Sequence, residues 1–190
     1  MTSAPHGRSV LIVVLAAAAL GGCGPRSAPA GPASPPEVDV AAGAAPARLA
    51  LLACTYGGPR RLGRVDLSKV PARVIAVVEV DAQVPLAGVT VAALEVFDGS
   101  GGRLGYALLP ATVRRAPAYQ PPAEPLDAET ADFDGNVAPG KPVRLWIDVN
   151  LDVPLKQLLD VAPAHVQATL DVGNGHQVQV AGRVGALWTG

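Results

Sequence analysis

Apolar residues recur at every second position through much of the chain beyond residue 48. Between 73 and 84, Val74, Ala76, Val78, Val80, Ala82 and Val84 alternate with Arg73, Glu79, Asp81 and Gln83. A period of two sends alternate side chains to opposite faces, so this segment predicts a half-buried β-strand. Val143, Leu145, Ile147, Val149, Leu151 and Val153 form a second such set, interleaved with Arg144, Asp148, Asn150 and Asp152. Val166, Ala168, Leu170 and Val172 form a third, against His165, Gln167, Thr169 and Asp171. The run 88–97 is more continuously apolar and predicts a central strand buried on both sides.

Turn chemistry joins these strands. Gly173-Asn174-Gly175 lies between two alternating runs. A two-residue loop would set Val172 against Gln177 and mix the faces. A three-residue loop pairs Val172 with His176, Leu170 with Val178 and Ala168 with Val180, so it predicts Gly175 in a left-handed position. Asp98-Gly99-Ser100-Gly101-Gly102 predicts a second hairpin, joining 92–97 to 103–108. Pro139-Gly140 suits the centre of a type II turn. Helix signals are few: Asp152 is placed to cap one turn over 154–159, and Pro163 stops its extension. This spacing predicts an all-β domain, an antiparallel β-sandwich of about seven to nine strands.

The start of the chain follows a different rule. Residues 10–20 are an unbroken apolar run, VLIVVLAAAAL, preceded by Arg8. That is too short to cross a bilayer, which needs about 20 residues, and suits the apolar core of a signal peptide. It ends in Leu20-Gly21-Gly22-Cys23, which resembles the lipobox of bacterial lipoproteins. The resemblance implies recognition of Leu20, Gly21 and Gly22, cleavage before Cys23, and lipidation of that Cys. Several acyl chains give a stable membrane anchor where one gives only marginal binding. Gly24 follows the Cys in place of Asp, which implies sorting to the outer membrane of a bacterial envelope.

Residues 24–47 are rich in Pro and Ala and carry little apolar surface beyond Val38 and Val40. Such a stretch cannot offset the entropy of ordering, so it reads as a disordered tether of semi-extended character. The expected organisation is a signal peptide over 1–22, a lipidated Cys and tether over 23–47, and a β-sandwich domain over 48–190. The last is 190 − 47 = 143 residues, enough for one hydrophobic core.

The order of motifs within the domain carries a second resemblance. VAALEVFDGSGGRLGYALL is a strand–turn–strand unit, and FDGNVAPGKPVRL leads into the next long strand. The arrangement resembles the immunoglobulin-like domains of bacterial lipoproteins, the FxLYD-type family and its relatives, over roughly residues 70–153. Phe97 stands where that family has an aromatic before the hairpin Asp, without its Tyr. Asp81 stands where the family often has Asn. The resemblance implies an immunoglobulin-like β-sandwich and an interaction role.

Composition narrows the function. Lys plus Arg is 15 against 16 Asp plus Glu, a net charge of −1. Removal of Arg8 with the signal leaves 14 against 16, about −2. A nucleic-acid binder shows a basic stripe instead. Two Trp, three Tyr and two Phe make seven aromatics, too few for a carbohydrate cleft. With Cys23 lipidated, Cys54 is the remaining thiol, and its apolar run 49–55 predicts a buried small hydrophobe. Pairing with His165 or His176 would be needed for a periplasmic thiol enzyme.

The acidic loop is the strongest candidate for chemistry. Asp127, Glu129, Asp132, Asp134 and Asn136 offer the hard oxygen ligands that Ca²⁺ takes, although the EF-hand template fails: position 12 falls on Lys141. The competing reading is a solvated loop whose charges discourage edge pairing. Arg114 and Arg115, with Arg60, Arg61 and Arg64, form a candidate basic edge. Trp146 points away from the apolar face of 143–153, either as an interface anchor or beneath the loop 116–138. The leading expectation is a non-enzymatic, membrane-anchored module that binds an envelope protein or supports an assembly. It calls for no cofactor and no nucleic acid. The alternatives are a module binding calcium or a small ligand through the acidic loop, and the thiol enzyme.

Overall fold

A computed structural model describes residues 45–58, 66–185 and 187–188. The expectations for the signal segment, Cys23, most of the tether, and Arg60, Arg61 and Arg64 lie outside the described residues. The predicted β class holds. The strands are β1 (Ala47–Gly57), β2 (Pro71–Ala82), β3 (Thr90–Phe97), β4 (Arg103–Arg115), β5 (Ala131–Asp132), β6 (Val143–Pro154), β7 (His165–Asp171), β8 (Gln177–Arg183) and β9 (Leu187–Trp188). They form one nine-stranded sheet in the order β8-β7-β3-β4-β6-β2-β1-β9, with β5 beside β4. The sheet is mixed, not purely antiparallel, because β9 runs parallel to β1.

The sheet curls because β4 serves two neighbours in turn. Its first residues pair with β3, Tyr106 opposite Glu95. Its later residues pair with β6, from Ala107 opposite Leu151 to Arg115 opposite Leu145. The curl brings β8 and the residues after it against β1. The Gly185 amide donates to the Cys54 carbonyl at 2.7 Å. A side chain at Gly182 would meet Leu51, and a Cβ at Gly185 would lie 2.8 Å from the Cys54 oxygen. Gly185 therefore requires glycine for close approach, whereas at Gly182 the Leu51 side chain can give way.

One core fills the inside of the curl. Val74, Ala76, Val78 and Val80 of β2 pack there with Leu145, Ile147, Val149 and Leu151 of β6. Leu94 and Val96 of β3 join Val166, Ala168 and Leu170 of β7 and Val178 and Val180 of β8. The β2, β6 and β7 members are the sets that the period-two pattern isolates.

Local differences have local causes. The alternation of β2 ends at Ala82, and Val84 beyond it is 48% exposed. β3 is buried on one face only, and its pairing with β7 shifts at Ala92, between Val91↔Leu170 and Ala93↔Thr169. This shift explains why the run 88–97 lacks a clean alternation. The short helix α1 (Leu155–Asp160) has Pro154 at its N-cap position and no side-chain cap. Asp152 instead accepts a hydrogen bond from the Tyr106 amide at 2.7 Å. β1 starts at Ala47, one residue before the expected boundary, and the Gln83 amide donates to the Pro46 carbonyl.

The hairpins follow their sequence signals closely. Val172 donates to the His176 carbonyl at 2.9 Å, and Leu170 and Ala168 pair with Val178 and Val180. Gly173, Asn174 and Gly175 all have positive φ. At the other hairpin, one Asp98 carboxylate oxygen accepts from the Ser100 and Gly102 amides, each at 2.8 Å, and from the Ser100 hydroxyl.

Candidate functional site

Two interruptions of the ladder fall at nearly the same level of β6. On one side, Leu108 faces Asn150 and Thr112 faces Asp148, so Leu109, Pro110 and Ala111 share the single position Val149. On the other, Pro71 faces Pro154 and Arg73 faces Asn150, so Leu151, Asp152 and Val153 share Ala72. Extra residues on β4 at one side and on β6 itself at the other bend the sheet and re-aim side chains. Pro110 has no N–H to give to the ladder, which suits it to the bulge.

The result is a cleft of about 420 Å³ lined by Val70, Pro71, Leu108 and Pro110 around Arg73, Thr112, Asp148 and Asn150. Arg73 grips Asp148 through both carboxylate oxygens, with Nε to Oδ1 at 2.5 Å and Nη2 to Oδ2. The pair is part-buried, with the Asp148 side chain 15% exposed and Arg73 39%. The carboxylate's hydrogen bonds hold the Arg73 pKa above its ordinary value. Two planar groups joined this way form a rigid, self-neutralised floor.

An apolar rim continues from the cleft along β4. Tyr106, Leu108 and Leu109 are 47%, 49% and 47% exposed. Exposed apolar side chains beside a cleft mark a candidate contact surface. Arg103 lies over the Tyr106 ring, 5.9 Å from its centroid, and pairs with Glu95 at 2.8 Å.

The residues singled out in the sequence lie elsewhere. Trp146 is half-buried under the loop 116–128, and its indole N–H donates to the Pro125 carbonyl at 2.9 Å. With Val77, Ala116 and Tyr119 it forms a small second core on the outer face of the sheet. It is thus covered and is not an open interface anchor. Arg144 fastens this loop by donating to the Tyr119 carbonyl, and it pairs with Glu79 at 3.0 Å.

Arg114 and Arg115 turn toward the acidic loop. Arg115 pairs with Asp134 at 2.9 Å, donates to the Asn136 carbonyl and stacks on Phe133. Arg114 reaches the Thr130 hydroxyl at 3.4 Å. Hydrogen bonds from the Asn136 backbone hold the Asp134 carboxyl below its usual range. Asp127, Glu129, Asp132, Asp134 and Asn136 are exposed. Among the described residues, no three His, Cys, Asp or Glu side chains converge as a metal site requires.

Cys54 lies in the core, and burial pushes its thiol up to about 12. A nucleophilic thiol needs the opposite shift. His165 and His176 are exposed, His165 opposite Arg183 in the ladder. Trp188 is buried, and its indole donates to the Gly58 carbonyl at 3.0 Å.

The cleft is the feature that sequence reasoning missed. Two signals were present: a proline inside a strand segment, and the adjacent pair Leu108-Leu109, which breaks the alternation. No protein-family model matches the chain, and no curated protein matches it.

Proposed function

We propose that this chain is a lipid-anchored lipoprotein of the bacterial envelope that acts as a non-enzymatic interaction module. In this reading Cys23 carries the lipid and residues 24–47 are the tether. The curled sheet is an immunoglobulin-like β-sandwich. One layer is β8, β7, β3 and the start of β4, and the other is the rest of β4 with β6, β2 and β1. The approach of β8 to β1 supports that division.

The observation that carries the interaction role is the open apolar rim of Tyr106, Leu108 and Leu109 beside the cleft. Covering such surface removes it from water, a gross gain of roughly 25 cal/mol per Å² from which the cost of association is deducted. Two measurements test the reading. Metabolic labelling with a fatty acid is expected to mark the wild-type chain and not Cys23→Ser. Capture of envelope proteins on the full-length chain is expected to enrich a partner that Leu108→Ser/Leu109→Ser loses. Unlabelled wild-type protein, or capture indifferent to the double substitution, would sink it.

A further inference from the structure

We propose that the cleft binds a stretch of uncharged, extended polypeptide, its main chain lying across Arg73, Asp148 and Asn150 and an apolar side chain resting on Leu108 and Pro110. This rests on the reading of this face as an interaction surface and adds the chemical class of the ligand.

Arg73 and Asp148 neutralise each other at the cleft floor. A ligand carboxylate approaching Arg73 would face Asp148, and a ligand ammonium approaching Asp148 would face Arg73. Neither charge finds a net attraction to offset its desolvation. A neutral group with one donor and one acceptor meets no such conflict. Two of the five guanidinium N–H groups hold Asp148, which leaves donors on Arg73 for a carbonyl. A carboxylate offers about four acceptor sites, so Asp148 has capacity for an N–H. The Asn150 amide and the Thr112 hydroxyl each add both kinds of partner. A peptide bond carries that combination.

Shape agrees with charge. A volume of about 420 Å³ lies inside the roughly 300–1,000 Å³ span of ligand sites. Val70, Pro71, Leu108 and Pro110 supply apolar walls for a side chain beside the polar floor. The site is also remote from the point where the tether enters. Ala47 and Gly57 are the ends of β1, and Gly57 pairs with Arg73. Those 57 − 47 = 10 steps at about 3.3 Å place the cleft roughly 33 Å from the tethered end. A lipid headgroup carries charge, which the self-neutralised Arg73–Asp148 pair disfavours, so a neutral polypeptide fits the cleft better.

The test is amide chemical-shift mapping on the full-length chain with N-acetyl-Ala-Leu-Ala-amide as the probe and the same tripeptide with free charged termini as its comparison. The capped probe is expected to give saturable shifts at Thr112, Asp148 and Asn150, little changed by salt because no net charge is engaged. Arg73→Gln and Asn150→Ala are expected to weaken it, the former by about tenfold. Asn150 is exposed, so the second variant keeps the fold should the first lose it. Absence of saturable shifts up to about 10 mM, on a scale where 1 mM corresponds to about −4.1 kcal/mol, overturns the proposal. So does tighter binding of the charged tripeptide, or mapping to another face. If the probe fails while partner capture remains sensitive to Leu108 and Leu109, the ligand class falls and the interaction module stands.

Discussion

Cys54 shows how one side chain's surroundings set its chemistry. It sits inside the curl on β1, and burial raises its pKa to about 12. The unfolded thiol ionises near about 8.5, so the unfolded state loses its proton first as pH rises. The thiol's contribution is complete below that pH and is lost between about 8.5 and 12. Urea unfolding of the wild type and Cys54→Ala across this window is expected to show a constant difference up to about pH 8. Above it the wild-type advantage should shrink by about 1.4 kcal/mol per pH unit. A pH-independent difference would mean an exposed thiol. Trp146 makes the complementary point. Trp146→Phe keeps an aromatic side chain but removes the N–H given to the Pro125 carbonyl, which retains its bond from the Ala128 amide, for an expected loss of about 1 kcal/mol and faster proteolysis within 116–128. The loop over Trp146 was an option in the sequence, since an aromatic at a polar-face position needs a cover or a partner. What closes it, Arg144 reaching the Tyr119 carbonyl, joins residues far apart in the chain and leaves no local signal.

At the scale of elements, strands and hairpins were legible because they rest on local rules. The register at Gly173-Asn174-Gly175 follows from matching faces, and the Asp98 turn follows from its side chain capping nearby amides. The bulges were not legible in the same way. Extra residues on β6 have meaning only against β2, and those on β4 only against β6, and those pairings are set by tertiary contacts. The closure of β8 on β1 belongs to the same class. Gly185 reads in the sequence as an ordinary loop glycine, yet a Cβ there meets the Cys54 backbone oxygen. Gly185→Ala is therefore expected to cost about 1–3 kcal/mol and to lower Tm by several degrees, measured by thermal unfolding. An unchanged Tm would mean that the seam yields easily.

For the whole molecule, attachment and recognition fall, in the proposed reading, at opposite ends of β1. The chain enters the fold at one end of β1, and the cleft lies beside the other end, at Gly57 and Arg73. A tether of semi-extended residues before β1 would let that far end sweep a volume beyond the anchor. The acidic loop is tied to β4 by the Arg115–Asp134 pair and the Arg114–Thr130 hydrogen bond. The claim that binds these parts together is that the β4 rim and cleft are where a partner sits. Site-specific photo-crosslinking in cells tests it most directly, with a benzophenone amino acid at Leu109 and, as a control, at exposed Gln179 on β8. The account predicts a discrete higher-mass adduct from position 109 and none from 179. No adduct at 109, or the same adducts from both positions, would contradict it.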